Sequence, residues 1–234
     1  MAEIEIYPTN TCPTDFVDLS QRSEMFKTFA PYVHLDIDDA QFAPILSWPY
    51  GELQMQELET MLRTNDTLPF LESLSYEVHM MVREPHFMGS HMARLGCERI
   101  IGHIEAFNEE FTPTDSFAAW KKAGAREVGL AILIDTPLKS IDAYANSCDV
   151  VLLMSIATLG KQGAIFDERI YDRISNLRAK YPDLTIAVDG GVGETNIAQL
   201  VRAGASRFGV GSAITKASDP AAAYAHLREL ASTV

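Results

Sequence analysis

Short apolar runs alternate with amphipathic stretches from one end of the chain to the other. The apolar runs are nearly continuous, which is typical of parallel strands that are covered on both faces. The predicted strands are Ile4–Pro8, Tyr32–Ile37, Ser75–Val82, Arg99–His103, Glu127–Leu133, Val150–Ile156, Thr185–Val188 and Arg207–Val210. Between them, apolar residues recur at helical spacing in Leu53–Thr64, Phe166–Lys180, Thr195–Ala203 and Pro220–Leu230. Eight such units predict a closed (β/α)8 barrel, a TIM barrel of the α/β class.

The length and composition agree with one such barrel. With 234 residues, of which 47% are hydrophobic and 22% charged, the chain is long enough for one well-buried core. No Pro/Gly/Ser-rich linker or block of charge divides it, so we predict a single domain over residues 1–234. Cys12, Cys97 and Cys148 lack the spacing of a metal or redox motif, and we expect no disulfide framework.

The formal net charge of -13 argues against an extended nucleic-acid partner, because the chain offers no basic stripe. A small phosphate group remains compatible, since backbone N–H groups and helix N-termini bind phosphate without Lys or Arg. The sequence shows no basic n-region and no apolar run that approaches the length of a membrane span. We therefore expect a cytoplasmic protein that binds neither nucleic acid nor a membrane.

Four candidate metal ligands stand near the ends of three predicted strands. Period-two alternation places His34 and Asp36 on the same side of the second strand. His79 lies late in the third strand, and Asp189 directly follows the seventh. Each residue alone is more often a hydrogen-bonded polar group. Together, at the strand ends where TIM barrels place their chemistry, they predict a site for one divalent metal ion: Zn²⁺, Fe²⁺, Mn²⁺ or Co²⁺.

Glycine-containing turns follow the last two predicted strands. Gly190 and Gly191 come after the seventh strand, and Gly211 and Ser212 come after the eighth. Barrels commonly bind phosphate at these positions through backbone amides and a short helix N-terminus. A lone glycine pair would indicate only a tight turn. Paired sites after both strands favour phosphate binding.

The segment from His34 to Pro44 reads His-Leu-Asp-Ile-Asp-Asp-Ala-Gln-Phe-Ala-Pro. It resembles the His-x-Asp-x-Met-Asp-Gly-x-Phe-Val-Pro signature of ribulose-phosphate 3-epimerases. Further similarities occur in the family's order over nearly the whole chain. They are Val78–Val82 with Glu84-Pro85, Gly102–Ala106, Gly129–Ile132 with Thr136-Pro137, Leu153–Ile156, Val188–Val192 and Gly211–Ile214.

The resemblance implies a ribulose-phosphate-binding barrel that inverts C3 of D-ribulose 5-phosphate, giving D-xylulose 5-phosphate. Its metal ligands would be His34, Asp36, His79 and Asp189. Asp36 and Asp189 would also serve as acid and base on opposite faces of a metal-stabilised enediolate. The substrate and phosphate set would be Gly190, Gly191, Gly211, Ser212, Thr9, Met154 and Gly160. The resemblance further implies a phosphosugar substrate and a homo-oligomer.

The chain departs from the family pattern at substrate-contacting positions. The loop after the sixth strand, residues 157–163, reads Ala-Thr-Leu-Gly-Lys-Gln-Gly where the family has Asn/Glu-Pro-Gly-Phe-Gly-Gly-Gln. Asp38 replaces a Met beside the metal, and Ala40 replaces a Gly. We expect His103 and Glu105 to alternate inward on the fourth strand, where they line the pocket or form a buried structural hydrogen bond.

These departures leave three functions open. The leading one is an epimerase of ribulose 5-phosphate. The alternatives are an epimerase of another ketose phosphate, such as an allulose 6-phosphate, and a barrel that binds metal and phosphosugar without turnover. A decarboxylase on a related barrel is disfavoured, because the Asp-x-Lys-x-x-Asp pattern of those enzymes is absent.

Overall fold

The strands of the protein form a closed parallel barrel in the computed structural model, which describes residues 3–159 and 163–233. Their order around the barrel follows the chain, and β1 pairs with β8 to close it. The strands are β1 Glu5–Thr11, β2 Tyr32–Asp38, β3 Ser75–Met81, β4 Cys97–His103, β5 Glu127–Ile132, β6 Val150–Met154, β7 Thr185–Asp189 and β8 Arg207–Val210. The predicted (β/α)8 barrel is confirmed.

Helices follow the strands on the outside of the barrel. The α-helices of the described residues are α1 Phe16–Phe26, α2 Glu52–Thr64, α3 Pro85–Arg94, α4 Pro113–Ala123, α5 Arg169–Lys180, α6 Ile197–Ala203, α7 Ser212–Thr215 and α8 Pro220–Ser232. After β5, a short 3-10 helix, Leu138–Ile141, replaces the α-helix. Over the same described ranges, no helix has the length and apolar character needed to cross a bilayer.

β1 continues three residues beyond its predicted end at Pro8. Thr9 and Thr11 pair with His34 and Asp36 of β2, so this polar stretch belongs to the barrel wall. Between them, the buried Asn10 side chain donates a hydrogen bond from Nδ2 to the carbonyl of Leu19 in α1 at 3.1 Å. Asn10 thus faces α1, whereas Thr9 and Thr11 face the barrel mouth. A search for apolar runs cannot detect a strand end made of such polar residues.

The prediction that Glu105 lies on the fourth strand was wrong. β4 ends at His103, and Glu105 belongs to a 3-10 turn over Ile104–Ala106. His103 points inward as predicted and is fully buried. The turn nevertheless brings the Glu105 carboxylate back to His103, with Oε2 at 3.2 Å from Nδ1.

The main apolar core lies between the strands and the surrounding helices. Val33, Leu35 and Ile37 of β2 are fully buried in it, as the alternation of that strand predicts. A second cluster fills the upper part of the barrel interior and includes Met81 and Met154. The two clusters separate the outward and inward faces of the same strands.

Charged side chains fill the barrel interior near the amino ends of the strands. Arg207 pairs with Glu5 at 2.8 Å, Glu127 at 2.9 Å and Glu77 at 3.3 Å. Arg99 pairs with Glu5 at 3.0 Å and with Glu127 at 3.2 Å. Both arginines are buried. Buried charges are tolerated where they are paired and hydrogen-bonded. Each of the two arginines contacts at least two carboxylates, which meets that requirement.

Gly129 lets β5 and β6 approach closely. A Cβ atom at this position would lie 2.4 Å from Cγ1 and 2.6 Å from the carbonyl oxygen of Val150. We expect Gly129→Ala to lower the free energy of unfolding by about 1–3 kcal/mol, the usual cost of overpacking, in urea denaturation. Gly193→Ala is the control, because its Cβ would meet Ala213 at an ordinary 3.6 Å. Equal stability of Gly129→Ala and the wild type would contradict this account of the packing.

Candidate active site

Four side chains meet at the carboxyl ends of β2, β3 and β7. His34, Asp36, His79 and Asp189 each offer one ligand atom, and these atoms all lie within 4.8 Å of one another. Oδ1 of Asp36 lies 3.3 Å from Nε2 of His34 and 3.0 Å from Nδ1 of His79. The structure thus brings together the four residues that the strand ends indicated. Two imidazoles and two carboxylates form a donor set that suits Zn²⁺, Fe²⁺, Mn²⁺ or Co²⁺.

One ring nitrogen of the cluster lacks a partner that a cation would supply. Nε2 of His34 is buried and has no hydrogen-bond partner, although it faces Asp36. The other nitrogen of the same ring, Nδ1, is engaged by Glu77 at 2.8 Å. A buried polar atom without a partner is costly, and a cation held by Nε2 and the neighbouring carboxylates would satisfy it.

The pKa values of the two aspartates are displaced in opposite directions by their surroundings. Burial acts to raise the pKa of Asp36, but the close approach of the His34 and His79 rings outweighs burial and holds that pKa below its ordinary value. Burial raises the pKa of Asp189, and the negative charge of Asp36 raises it further. For the protein groups alone, Asp36 is therefore the stronger acid. Two carboxyl groups separated in this way suit one base and one acid.

A pocket opens beside the cluster at the barrel mouth. Its lining includes Asp36 and Asp189 from the cluster and the loops after β7 and β8. The other lining residues are Thr9, Thr11, Met81, Met154, Ile156, Gly163, Gly190, Gly191, Val192, Gly211 and Ser212. The hydroxyl of Thr9 is buried there without a hydrogen-bond partner.

The turn after β7 is held from β6. The backbone N–H of Ser155 donates to the carbonyl of Asp189 at 2.8 Å, and the Ser155 hydroxyl donates to the same carbonyl at 3.0 Å. Gly190 and Gly191 then take φ values of 107° and 67°. These left-handed conformations favour glycine and turn the backbone along the pocket.

The predicted substrate and phosphate residues converge on this pocket wherever the structure describes them. Thr9, Met154 and the two glycine turns all line it. Gly160 lies outside the described residues. Another cleft, of about 890 Å³, lies between α2 and residues 66–72 and contains none of the predicted site residues.

Two buried residues contact the candidate ligands, although the sequence analysis linked neither of them to a ligand. Glu77 contacts His34, and Nε2 of His103 lies 2.9 Å from Nε2 of His79. The alternation of β3 was a usable signal for Glu77, because it places residue 77 on the same face as His79. No comparable signal linked His103 to His79, since the two lie on different strands.

Asp38 stands apart from the four-residue cluster. Its Oδ1 accepts a hydrogen bond from the backbone N–H of Ala40 at 2.9 Å, whereas its buried Oδ2 has no partner. Burial raises the pKa of Asp38 to about 7 despite this hydrogen bond, and the charges of Asp39 and Asp36 add to the increase. Ala40 itself has a φ of 60°, a conformation that favours the glycine of the family pattern.

Gly209 leaves space for the Asp189 carboxylate. The two residues pair across β7 and β8, and a Cβ at 209 would lie 2.8 Å from Oδ1 of Asp189. We expect Gly209→Ala to displace this carboxylate and weaken Mn²⁺ binding about tenfold, the effect typical of perturbing a ligand's support. Calorimetric titration of the metal-stripped protein measures it, with Gly193→Ala as the control. Unchanged Mn²⁺ affinity would show that Asp189 does not depend on this space.

Comparisons with known proteins agree with this architecture. The sequence model of the ribulose-phosphate 3 epimerase family matches residues 10–215. The chain is 28% identical over 215 residues to the ribulose-phosphate 3-epimerase of Schizosaccharomyces pombe, covering 92% of this chain and 88% of that protein. It is 30% identical over 205 residues to the ribulose-phosphate 3-epimerase of Aquifex aeolicus, covering 86% and 85%. KGPDC from Streptococcus mutans shares the fold, with a TM-score of 0.68, 11% identity and coverage of 100% and 99%.

Proposed function

The chain belongs to the ribulose-phosphate 3-epimerase family and is an isomerase; from this premise we propose that it inverts C3 of D-ribulose 5-phosphate to give D-xylulose 5-phosphate. In this proposal residues 1–234 act as one barrel domain. The observation that carries it is the meeting of Asp36 and Asp189 with two imidazoles at the barrel mouth, within 4.8 Å. This combination supplies two acid–base groups and a cation site at one point.

A two-base inversion at a carbon beside a carbonyl places one acid–base group on each face of the planar intermediate. The C3 proton is weakly acidic, and its removal gives an enediolate. Asp36 and Asp189 come from β2 and β7, which are separated by β1 and β8 in the barrel wall. They therefore reach the pocket from different sides. One removes the proton, and the other, in its protonated form, returns a proton to the opposite face. The roles exchange with the direction of the reaction.

His34, Asp36, His79 and Asp189 would hold one divalent cation. When bound, the cation supplies positive charge that stabilises the negative oxygens of the enediolate. The barrel wall fixes both carboxylates beside the pocket, so little reorganisation is needed during proton transfer.

The phosphate group would lie against the turns after β7 and β8. Gly190, Gly191 and Gly211 expose backbone there without side chains, and Ser212 adds a hydroxyl. Backbone amides bind phosphate without a cationic side chain, which agrees with the acidic composition of the chain. The unpartnered hydroxyl of Thr9 is available to a substrate hydroxyl. Met154 would pack against the sugar.

Replacement of one acid–base group tests the mechanism. Asp189→Asn keeps the shape of the side chain but removes its ability to accept or return a proton. We expect deuterium incorporation at C3 of ribulose 5-phosphate in D₂O, followed by NMR in metal-replete protein, to slow by about 10²–10⁴-fold. The matched control is Asp115→Asn, which makes the same change in the capping box of α4 and should leave the rate unchanged.

The same assay separates the alternatives. If Asp189→Asn retains both metal and the wild-type exchange rate, the two-carboxylate mechanism is wrong. Faster exchange with allulose 6-phosphate than with ribulose 5-phosphate would move the substrate assignment to a hexulose phosphate. No exchange with either sugar in metal-replete wild-type protein would contradict the proposed reaction.

A further inference from the structure

Each histidine of the cluster uses one ring nitrogen toward Asp36 and the other toward a second buried group. In His34, Nε2 faces Asp36 and Nδ1 lies 2.8 Å from Oε1 of Glu77. The opposite oxygen of Glu77 lies 3.3 Å from Nη1 of Arg207, a permanent donor. Glu77, only 1% exposed, is thus held from below as an acceptor for His34. The proton of a neutral His34 then resides on Nδ1, and Nε2 is bare.

His79 has a comparable support on the opposite side of the cluster. Its Nδ1 faces Asp36 at 3.0 Å, and its Nε2 lies 2.9 Å from Nε2 of His103. Oε2 of Glu105 lies 3.2 Å from Nδ1 of His103, while Oε1 accepts the backbone N–H of Leu133 at 2.9 Å. A carboxylate accepts, so neutral His103 carries its proton on Nδ1 and accepts at Nε2. The proton of His79 then resides on Nε2, and its Nδ1 is bare.

We propose that Glu77 and His103 are positioning residues that fix the tautomers of the two histidine ligands, so that bare Nε2 of His34 and bare Nδ1 of His79 converge beside Asp36. This inference rests on the proposed metal centre. It assigns the two rings to opposite tautomers, each set by a separate hydrogen-bond chain. One chain descends to Arg207 at the base of the barrel, and the other ends at Glu105 in the turn after β4.

Fixed tautomers matter because an imidazole binds a metal only through an unprotonated nitrogen. A ring free to exchange its proton between nitrogens presents N–H to the site in part of its population. A ring free to rotate must also lose that freedom when the cation binds. Carboxylate or imidazole acceptors behind ligand histidines remove both losses, and their replacement typically weakens metal binding about 10–100-fold.

The test for Glu77 measures Co²⁺ binding to metal-stripped protein from the visible absorption of the bound ion. Glu77→Met removes the acceptor, and we expect Co²⁺ affinity to fall about 10–100-fold. Glu77→Gln retains an acceptor oxygen for Nδ1 and should recover most of this loss. Arg207 keeps Glu5 and Glu127 as partners in both variants, so the barrel should fold. Circular dichroism of the metal-stripped proteins checks this directly.

The matched control is Arg99→Met. It removes a buried charge from the same interior network, but Arg99 pairs with Glu5 and Glu127 and not with a ligand histidine. We expect Co²⁺ affinity within about twofold of the wild type. If Arg99→Met weakens Co²⁺ binding as much as Glu77→Met does, the effect comes from the network in general and the positioning role is overturned.

His103→Phe provides the second arm, because a phenyl ring can keep the contact with Phe42, whose ring centre lies 4.6 Å from that of His103. It removes the acceptor for His79, and we expect about 10–100-fold weaker Co²⁺ binding. His103→Gln, which can accept at the same place, should be less affected. Wild-type affinity in both His103→Phe and Glu77→Met would overturn the inference. Absence of Co²⁺ binding by the wild type would instead contradict the proposed metal centre.

Discussion

Closure of eight parallel strands forces every second side chain of each strand into one narrow interior, and the rest of the structure follows from this constraint. The interior must be filled, and any polar group placed there must find its partner among the other strands. Its lower part contains the pairs around Arg99 and Arg207. Its upper part contains the His and Asp cluster. Glu77 lies between the two and contacts both His34 and Arg207.

Alternation along single strands explains how much of this arrangement could be predicted from the sequence. The eight strands were recognisable because their apolar runs are local features. His34 and Asp36 were recognisable as a pair because residues two apart share a face. The end of β1 was missed, since Thr9 and Thr11 have the composition of a loop but face the barrel mouth.

The individual hydrogen-bond partners behind the ligands were the part that the sequence could not supply. Glu77 meets His34 across 43 residues of chain, His79 meets His103 across 24, and Arg207 meets Glu77 across 130. Local patterns place each residue on the inner face, but the register between strands decides which inner residues touch. The turn that returns Glu105 to His103 is a further step beyond strand periodicity, and it corrected the expected position of that residue.

Buried carboxylates lie in both halves of the barrel interior, but the groups that surround them differ between the two halves. A buried carboxylate carries a large desolvation cost that a nearby positive charge must offset. In the lower half Arg99 and Arg207 provide that charge to their carboxylate partners. In the upper half the Asp36 carboxylate contacts the two imidazoles and no arginine or lysine of the described chain. In the proposed metal centre both rings would be neutral, and their bare nitrogens would face the site. A bound cation would then supply the positive charge, as the arginines supply it to the lower network.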